Sequence, residues 1–348
     1  MPRSLTPVLL AIVLSADTVS SQDVRTATST FNDEFAWVRP VTLEESGDAV
    51  NAAPGISMDP LGGLIVWDML APQIRLYTST GQLTSYFGRR GAGPGEFRRL
   101  SGALRLANGS LLTADVNGRI TLWSSKGDQV LDDFETGLFR ITSLAMLGDT
   151  VIATTLPRII DRSNLEVPVL HFVDIAGRRL LRSTLRPHIK MSTVAAWSTV
   201  NMGGVISTSE AIYVTQPIVD TLYILPLQYD STALRRIPLR AAPLARNGPI
   251  PNGHEDREAF RAWLDKATFV GSVYGDERSG FCIQLLGAGT DPNRGVLYIR
   301  PAFASMVFIP DAPAVVAFDP KTGHFIFDDP DWLEPNRLRY ARSLARSR

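Results

Sequence analysis

Short runs of apolar residues, many of them β-branched or aromatic, recur along most of the chain, separated by turns rich in glycine and asparagine. Examples are Thr150–Thr154, Ala211–Val214 and Gly295–Ile299. Runs of this length and composition, bounded by such turns, are typical of β-strands. The pattern therefore predicts an all-β fold.

These runs repeat with a period of about 46 to 50 residues. One unit and its echo are Gly63–Asp68, Gln73–Tyr77 and Gly81, then Ser110–Asp115, Arg119–Trp123 and Gly127. Equivalent strands start at positions 74, 120, 170, 222 and 316, and the double gap before 316 predicts a degenerate unit near Phe269. Because such a period belongs to propellers and exceeds that of leucine-rich or helical solenoids, we predict one six-bladed β-propeller of four-stranded antiparallel blades over residues 35–330.

Two segments depart from the β pattern. His254–Lys266 places Phe260, Trp263 and Leu264 on one helical face, which predicts a short helix in an insert at about 252–267. We expect this insert to lie outside the blades, over one mouth of the propeller and beside the ligand site, since a helix inside a blade would leave ladder groups unpaired. The arginine-rich residues 331–348 are expected to be a solvated tail, with a helix or an anionic docking site as alternatives.

The segment Phe35–Leu43 has the composition of a strand but precedes the first full unit. A propeller must join its first and last blades so that neither presents a bare edge. We expect this segment to pair with the last blade near His324–Asp329, with Pro40 on an outer edge where a missing amide is harmless.

The first 21 residues contain a positive charge, Arg3, followed by the apolar run Val8–Leu14 and small residues. This layout is typical of a secretory signal peptide. The run is about half of the roughly 20 apolar residues that a membrane-spanning helix needs. We therefore predict cleavage near Gln22 and an extracytoplasmic protein, periplasmic or secreted, without a transmembrane anchor. The one cysteine, Cys282, excludes an internal disulfide, so stability must come from core packing.

The overall charge of the chain limits the classes of partner that we expect it to bind. The chain has 35 lysines and arginines, 35 aspartates and glutamates, and 45% hydrophobic residues. This composition is that of a folded globular protein without an overall field that attracts nucleic acids or anionic membranes. We expect a monomer that recognises a protein, peptide or carbohydrate locally and binds no nucleic acid.

The glycine-rich linker Gly88–Phe97, together with Asn108–Asp115 and Asn117–Ile120, resembles the NHL-type repeat of six-bladed propellers. In that family a glycine-rich stretch ending in phenylalanine leads into the first strand of a blade, and an aspartate closes the second strand. The resemblance covers residues 55–127, although Leu100 stands where the family usually has proline. It implies the propeller architecture and no particular activity, since such propellers serve as scaffolds, ligand binders and occasionally enzymes.

The strong motifs of metal and nucleophile chemistry are missing from the sequence. The four histidines are scattered without metal-ligand spacing, and there is neither a Gly-x-Ser-x-Gly elbow nor a phosphate loop. We therefore expect a binding module without cofactor, metal or catalysis. The alternative is a lactonase-like or lyase-like enzyme whose divalent metal is held in the central channel by Asp, Glu, Asn or His side chains of several blades.

Loops from every blade of a propeller converge on its central channel, and each loop can contribute one or two ligand-binding residues. The candidates are Arg89, Arg90, Glu96, Asp68, Asp115 and Trp263. Guanidinium groups on a glycine-rich loop suit the recognition of carboxylates or sugar acids, with simple surface solvation as the alternative. Asp68 and Asp115 end equivalent second strands, where a carboxylate commonly caps turn amides, so a structural role is the alternative for both.

Overall fold

The computed structural model describes residues 26–44, 54–68, 72–156, 167–187, 196, 203–227, 234–253, 255–287, 293–329 and 336–344. The predicted signal peptide and the end of the predicted tail, including Arg346 and Arg348, lie outside these residues. No helix within the described ranges is long and apolar enough to cross a membrane.

Six four-stranded antiparallel blades form a propeller, as the sequence predicts. Blades one to three consist of Pro54–Asp59, Gly63–Asp68, Gln73–Thr78 and Leu83–Phe87; Leu100–Arg105, Leu111–Asp115, Arg119–Trp123 and Val130–Glu135; and Ile141–Leu147, Thr150–Thr155, Leu170–Asp174 and Arg179–Thr184. Blades four to six consist of Gly204–Ser207, Ala211–Gln216, Val219–Pro226 and Arg235–Pro238; Thr268–Asp276, Gly280–Gly287, Asn293–Ile299 and Met306–Ile309; and Val315–Asp319, His324–Asp328, Arg337–Ser343 and Phe35–Thr42.

The first strand of each blade faces the propeller axis and contacts the first strands of its neighbours. In the described part of the chain, the first strands of neighbouring blades are not joined by backbone hydrogen bonds of a common sheet, and side-chain hydroxyls form hydrogen bonds between them. Ser57 Oγ donates to the carbonyl of Ala103 at 2.8 Å, and the amide of Val205 donates to Ser143 Oγ at 3.3 Å. The Ala103 carbonyl and the Val205 amide, which face another blade, are thus paired rather than left bare.

Apolar side chains fill the spaces between neighbouring blades. Phe97, at the end of the glycine-rich linker, is 1% exposed and packs with Ile65 of blade one and Leu111 of blade two. Gly95 has a φ of 73°, a conformation that favours glycine, and lies against the ring of Trp123. The linker therefore turns tightly and inserts Phe97 between two sheets.

The N-terminal segment closes the ring. Phe35–Thr42 is the outermost strand of blade six, which confirms the predicted pairing with the last blade. Its partner is Arg337–Ser343, however, and not the strand near His324. Ala27–Thr28 adds a short parallel strand outside Met306–Ile309 of blade five, so the segment contacts two blades.

The prediction of a tail or helix after residue 331 is wrong for residues 337–343, which form the third strand of blade six. Leu338 and Tyr340 are buried, whereas Arg337 and Arg339 on the opposite side of the strand are partly exposed. This alternation is the period of a half-buried strand. The propeller therefore extends to residue 343.

The repeat loses its phase after blade four. Positions 74, 120, 170 and 222 lie in third strands, but position 316 lies in the first strand of blade six. The third strands of blades five and six are Asn293–Ile299 and Arg337–Ser343. Phe269 belongs to the first strand of a complete blade five, so the number of blades was predicted correctly but the degenerate unit was not.

The insert between blades four and five, residues 239–267, contains the helices Ala242–Ala245 and Arg257–Lys266. The carboxylate of Asp256 caps the longer helix by accepting the amide of Ala259 at 2.8 Å. Trp263 and Leu264 pack this helix against Phe269 and Ile218. The insert is therefore attached to blades four and five.

Candidate functional site

The two faces of the propeller differ in what connects their strands. All first strands begin on one face, which also holds the links between blades and the turns between second and third strands. We call this the connection face. The opposite side, which holds the turns after the first and third strands, is the hairpin face. The helical insert emerges on the connection face because it links two blades.

A central channel of about 850 Å³ is lined by the first strands of all six blades. Near the connection face the lining residues are small. They are Gly55, Ser101, Thr142, Gly203, Gly271 and Ala314. Small side chains leave space on the axis, and the size of this space falls within the range of ligand pockets.

Asp328 lines the channel at its connection-face mouth, where it ends the second strand of blade six. Its backbone amide donates to the carbonyl of Ala314 at 2.9 Å. Its carboxylate accepts no hydrogen bond and forms no ion pair with any residue in the described part of the chain. The side chain is exposed to the channel space yet surrounded by protein, and this desolvation raises the pKa of Asp328 to about 6.

Aromatic rings form part of the same channel wall. A Cβ atom at Gly55 would lie 2.1 Å from the Trp67 ring, so the indole rests directly on this backbone. Burial raises the pKa of Tyr274 to about 12, with a further contribution from the charge of Asp328, while a hydrogen bond with Ser272 opposes the shift. Tyr274 and Asp328 are therefore within electrostatic range of each other.

The acidic residues at the hairpin-face mouth have internal partners. Glu277 Oε1 accepts hydrogen bonds of 2.6 Å from the hydroxyls of Tyr213 and Thr208. Asp276 Oδ1 accepts the amide of Ser279 at 2.7 Å. Burial, followed by the bond to Glu277, raises the pKa of Tyr213 strongly. These carboxylates hold turns together, whereas that of Asp328 does not.

Two of the predicted site residues, Arg89 and Glu96, lie together in the linker between blades one and two. Arg89 Nη2 is 2.8 Å from Glu96 Oε1, and the guanidinium is highly exposed. Glu96 Oε2 also accepts the amides of Ala92 and Gly93, which lower the pKa of this carboxyl together with Arg89. Arg90 is exposed beside them. This group stabilises the linker, and its role in ligand binding stays a prediction.

The other three predicted site residues are engaged within the fold. Asp115 Oδ2 accepts the amide of Arg98, and its Oδ1 accepts that of Asn117, as a capping residue does. Asp68 is 1% exposed. The Trp263 indole donates to the carbonyl of Asn247 at 2.8 Å. None of the six predicted residues lines the channel, and neither does any residue of the helical insert that the structure describes.

Asp328 was missed by the sequence analysis, although the sequence contains a signal for it. It ends the second strand of its blade, as Asp68 and Asp115 end theirs. The strand at position 316 was predicted to be a third strand. For that reason the equivalence of Asp328 with Asp68 and Asp115 was not recognised. Trp67 and Tyr274 carry no comparable signal, because an aromatic residue in a strand is more often part of the core.

The described residues contain no group of three or more His, Cys, Asp or Glu side chains that could hold a metal ion. Asp328 is the one carboxylate of this part of the chain at the connection-face mouth of the channel.

No family model matches the sequence, and no curated protein matches it. Solved structures do match the fold. A Bacteroides fragilis protein described as exported is 10% identical, with 92% of this chain and 98% of that chain covered and a TM-score of 0.62. A member of the DUF4221 family from Bacteroides vulgatus is 10% identical, with coverages of 89% and 97% and a TM-score of 0.58. Virginiamycin B lyase from Staphylococcus aureus is 9% identical, with coverages of 82% and 79% and a TM-score of 0.50.

These structures define the class of protein as a six-bladed β-propeller. At such identities the likeness shows the fold alone. The NHL-type resemblance of residues 55–127 is consistent with this fold and stays a prediction.

Proposed function

We propose that this protein is an extracytoplasmic propeller of NHL-like type that binds a protein, peptide or carbohydrate ligand at the connection-face mouth of its central channel. The observation that carries the proposal is the channel of about 850 Å³, to which all six blades contribute residues. At its mouth lies the Asp328 carboxylate, which has no partner among the described residues, and the channel wall includes the aromatic residues Trp67 and Tyr274. Concave sites with a few polar groups on a mostly apolar wall are where proteins bind small ligands and chain ends.

Two features support an extracytoplasmic location. The first 21 residues have the layout of a signal peptide. A protein with the same fold over 92% of this chain is described as exported. Fractionation with N-terminal sequencing tests the location: we expect mature protein beginning near Gln22 outside the cytoplasm, and an intact Met1 on cytoplasmic protein would contradict it.

The binding site is tested by blocking the channel mouth. Ala314 is a small lining residue whose side chain makes no polar contact, so Ala314→Trp places a large ring there. The matched control is Ala92→Trp on the exposed linker of the same face. Both variants are screened with the unmodified protein against arrays of peptides and oligosaccharides, after circular dichroism has shown that they are folded.

We expect ligands that the unmodified protein retains to be lost with Ala314→Trp and kept with Ala92→Trp. Loss of binding with Ala92→Trp alone would indicate that the ligand binds at the linker arginines and not in the channel. Equal binding by all three proteins, or no ligand on either array, would overturn the proposed channel site.

A further inference from the structure

We propose that the ligand group recognised at the connection-face mouth is a protonated amine, held by the Asp328 carboxylate beside the rings of Trp67 and Tyr274. This inference rests on the proposed function and specifies the chemistry of the same site.

The charge distribution of the channel favours a cation. The charged side chains that line it are Glu210, Asp276, Glu277, Asp328 and Arg278. Asp276 and Glu277 accept hydrogen bonds from their own turns, and Glu210 is exposed at the hairpin face. A desolvated carboxylate without a partner is costly, and a bound cation supplies the missing charge.

The wall around Asp328 distinguishes an amine from a metal ion. A divalent metal needs several oxygen ligands, and Asp328 is the one carboxylate at this mouth among the described lining residues. Aromatic faces attract ammonium groups through cation–π interaction, and Trp67 and Tyr274 both line the same channel as Asp328. A single carboxylate with aromatic neighbours therefore suits a monovalent organic cation. A sugar acid would be repelled there.

Among the residues that the structure describes, few other charged groups lie near Asp328. From blade five the titratable group is Tyr274. Within blade six, the neighbouring carboxylate of Asp329 is paired with Arg337 at 3.0 Å and with Arg339 at 3.1 Å. One carboxylate and two guanidinium groups leave this cluster with a net charge of +1, but Asp329, Arg337 and Arg339 do not line the channel, whereas Asp328 does.

Binding of an amine should follow the ionisation of Asp328. Burial raises the pKa of this carboxyl to about 6, while a lysine amine stays protonated up to a pKa of about 10.4. For a lysine-containing ligand we expect affinity to be constant between about pH 7 and 9 and to fall as the pH drops through about 6.

The experiment uses two pairs of probes, each with and without the charge. One pair is a short lysine-containing peptide and its acetyl-lysine form. The other is a glucosamine oligomer and its N-acetylated form. Calorimetric titration compares the unmodified protein with Asp328→Asn, with Glu135→Gln as an exposed control for the loss of one negative charge, and with Glu210→Gln at the opposite mouth.

We expect one charged probe, peptide or sugar, to bind and its acetylated form to bind about ten- to hundredfold more weakly, as expected for the loss of a charged hydrogen bond. Asp328→Asn should weaken binding by a similar factor, while Glu135→Gln and Glu210→Gln bind normally. Which charged probe binds identifies the source of the amine.

Equal binding of acetylated and charged probes, unchanged binding by Asp328→Asn, or no binding of either charged probe would overturn the inference. The proposed function would survive these results if the arrays yield a neutral or anionic ligand that Ala314→Trp excludes. It would fail separately if Ala314→Trp binds every ligand normally.

Discussion

The guanidinium of Arg105 in blade two forms a buried ion pair with the carboxylate of Asp59 in blade one, with 2.7 Å between Nη2 and Oδ2. Arg105 Nε also donates to both carboxylate oxygens at 2.9 Å, and Nη1 donates to the carbonyls of Gly109 and Ser125. Both residues end the first strands of their blades. The pair therefore fixes two adjacent strands at the hairpin-face end of the channel.

Removing Arg105 should destabilise the propeller. Arg105→Met leaves the buried Asp59 carboxylate unpaired, which typically costs about 3–5 kcal/mol. Urea denaturation measures the loss. The control is Arg89→Met, whose ion pair with Glu96 is exposed and should leave the free energy of unfolding close to that of the unmodified protein. Similar unfolding of both variants would contradict a structural role for the buried pair.

Because the N-terminal strand closes the ring, we expect the replacement of Phe35 to lower the stability of the protein strongly. This residue is 1% exposed and packs against Tyr298 of blade five and Phe325 of blade six, with ring centroids 4.9 and 5.5 Å apart. We expect Phe35→Ala to cost about 3–5 kcal/mol by urea denaturation. Val38 lies in the same strand and is 44% exposed, so Val38→Ala should cost less than about 1 kcal/mol. A small effect at Phe35 would mean that the ring is stable without this strand.

Asp328→Asn should stabilise the protein at pH 7. The carboxyl pKa is about 6 in the folded chain and ordinarily 3.8, so the favourable contribution of its neutral form is present below pH 3.8 and lost as the pH rises to about 6. Because channel water reaches Asp328, we expect a gain on the order of 1 kcal/mol above pH 6.

Unfolding of both proteins at pH 4 and pH 7 measures this difference. Burial lowers the pKa of His171 to about 4, so this residue makes the protein more stable as the pH rises. The contribution is the same in both proteins and therefore cancels in the difference between their free energies of unfolding. A variant that is equally or less stable at pH 7 would show that Asp328 has a favourable partner.

The helical insert should matter for stability more than for the channel. Trp263 donates its indole N–H to Asn247 and meets Phe269 edge-on, with ring centroids 5.8 Å apart. Because Trp263 is only partly buried, we expect Trp263→Ala to cost about 1–3 kcal/mol in thermal unfolding and to leave lysine-probe binding intact. Lost binding with unchanged stability would instead support the sequence-based prediction that Trp263 contacts the ligand.

The propeller could be predicted from local patterns because each blade repeats the same alternation. Third strands beginning near Ile74 and Ile120 share spacing, apolar positions and a following glycine. Phase was lost after blade four, where residues 239–267 lengthen one connection. The strand Arg337–Ser343 was mistaken for a tail, because its arginines obscured the alternation with Leu338 and Tyr340.

The site was less predictable than the fold. The channel is assembled from residues far apart in sequence, such as Trp67, Tyr274 and Asp328, and only the closed ring brings them together. The cluster of charged residues in the linker led instead to the prediction of a ligand site at its arginines. In the structure, Arg89 forms an ion pair with Glu96 there. Local sequence motifs predict turns and helix caps. The residues of a propeller site come from different blades and are brought together only by the tertiary structure.

The pKa of Asp328 tests the account most directly. Carbon-13 NMR titration of the side-chain carboxyl, assigned by its absence in Asp328→Asn, should give a midpoint near pH 6 for the protein alone. Adding the charged probe that binds, whether the lysine-containing peptide or the glucosamine oligomer, should lower this midpoint, because a bound cation favours the carboxylate. A midpoint near the ordinary value of 3.8 that neither charged probe changes would contradict a desolvated, unpaired carboxylate in the channel and the amine site built on it.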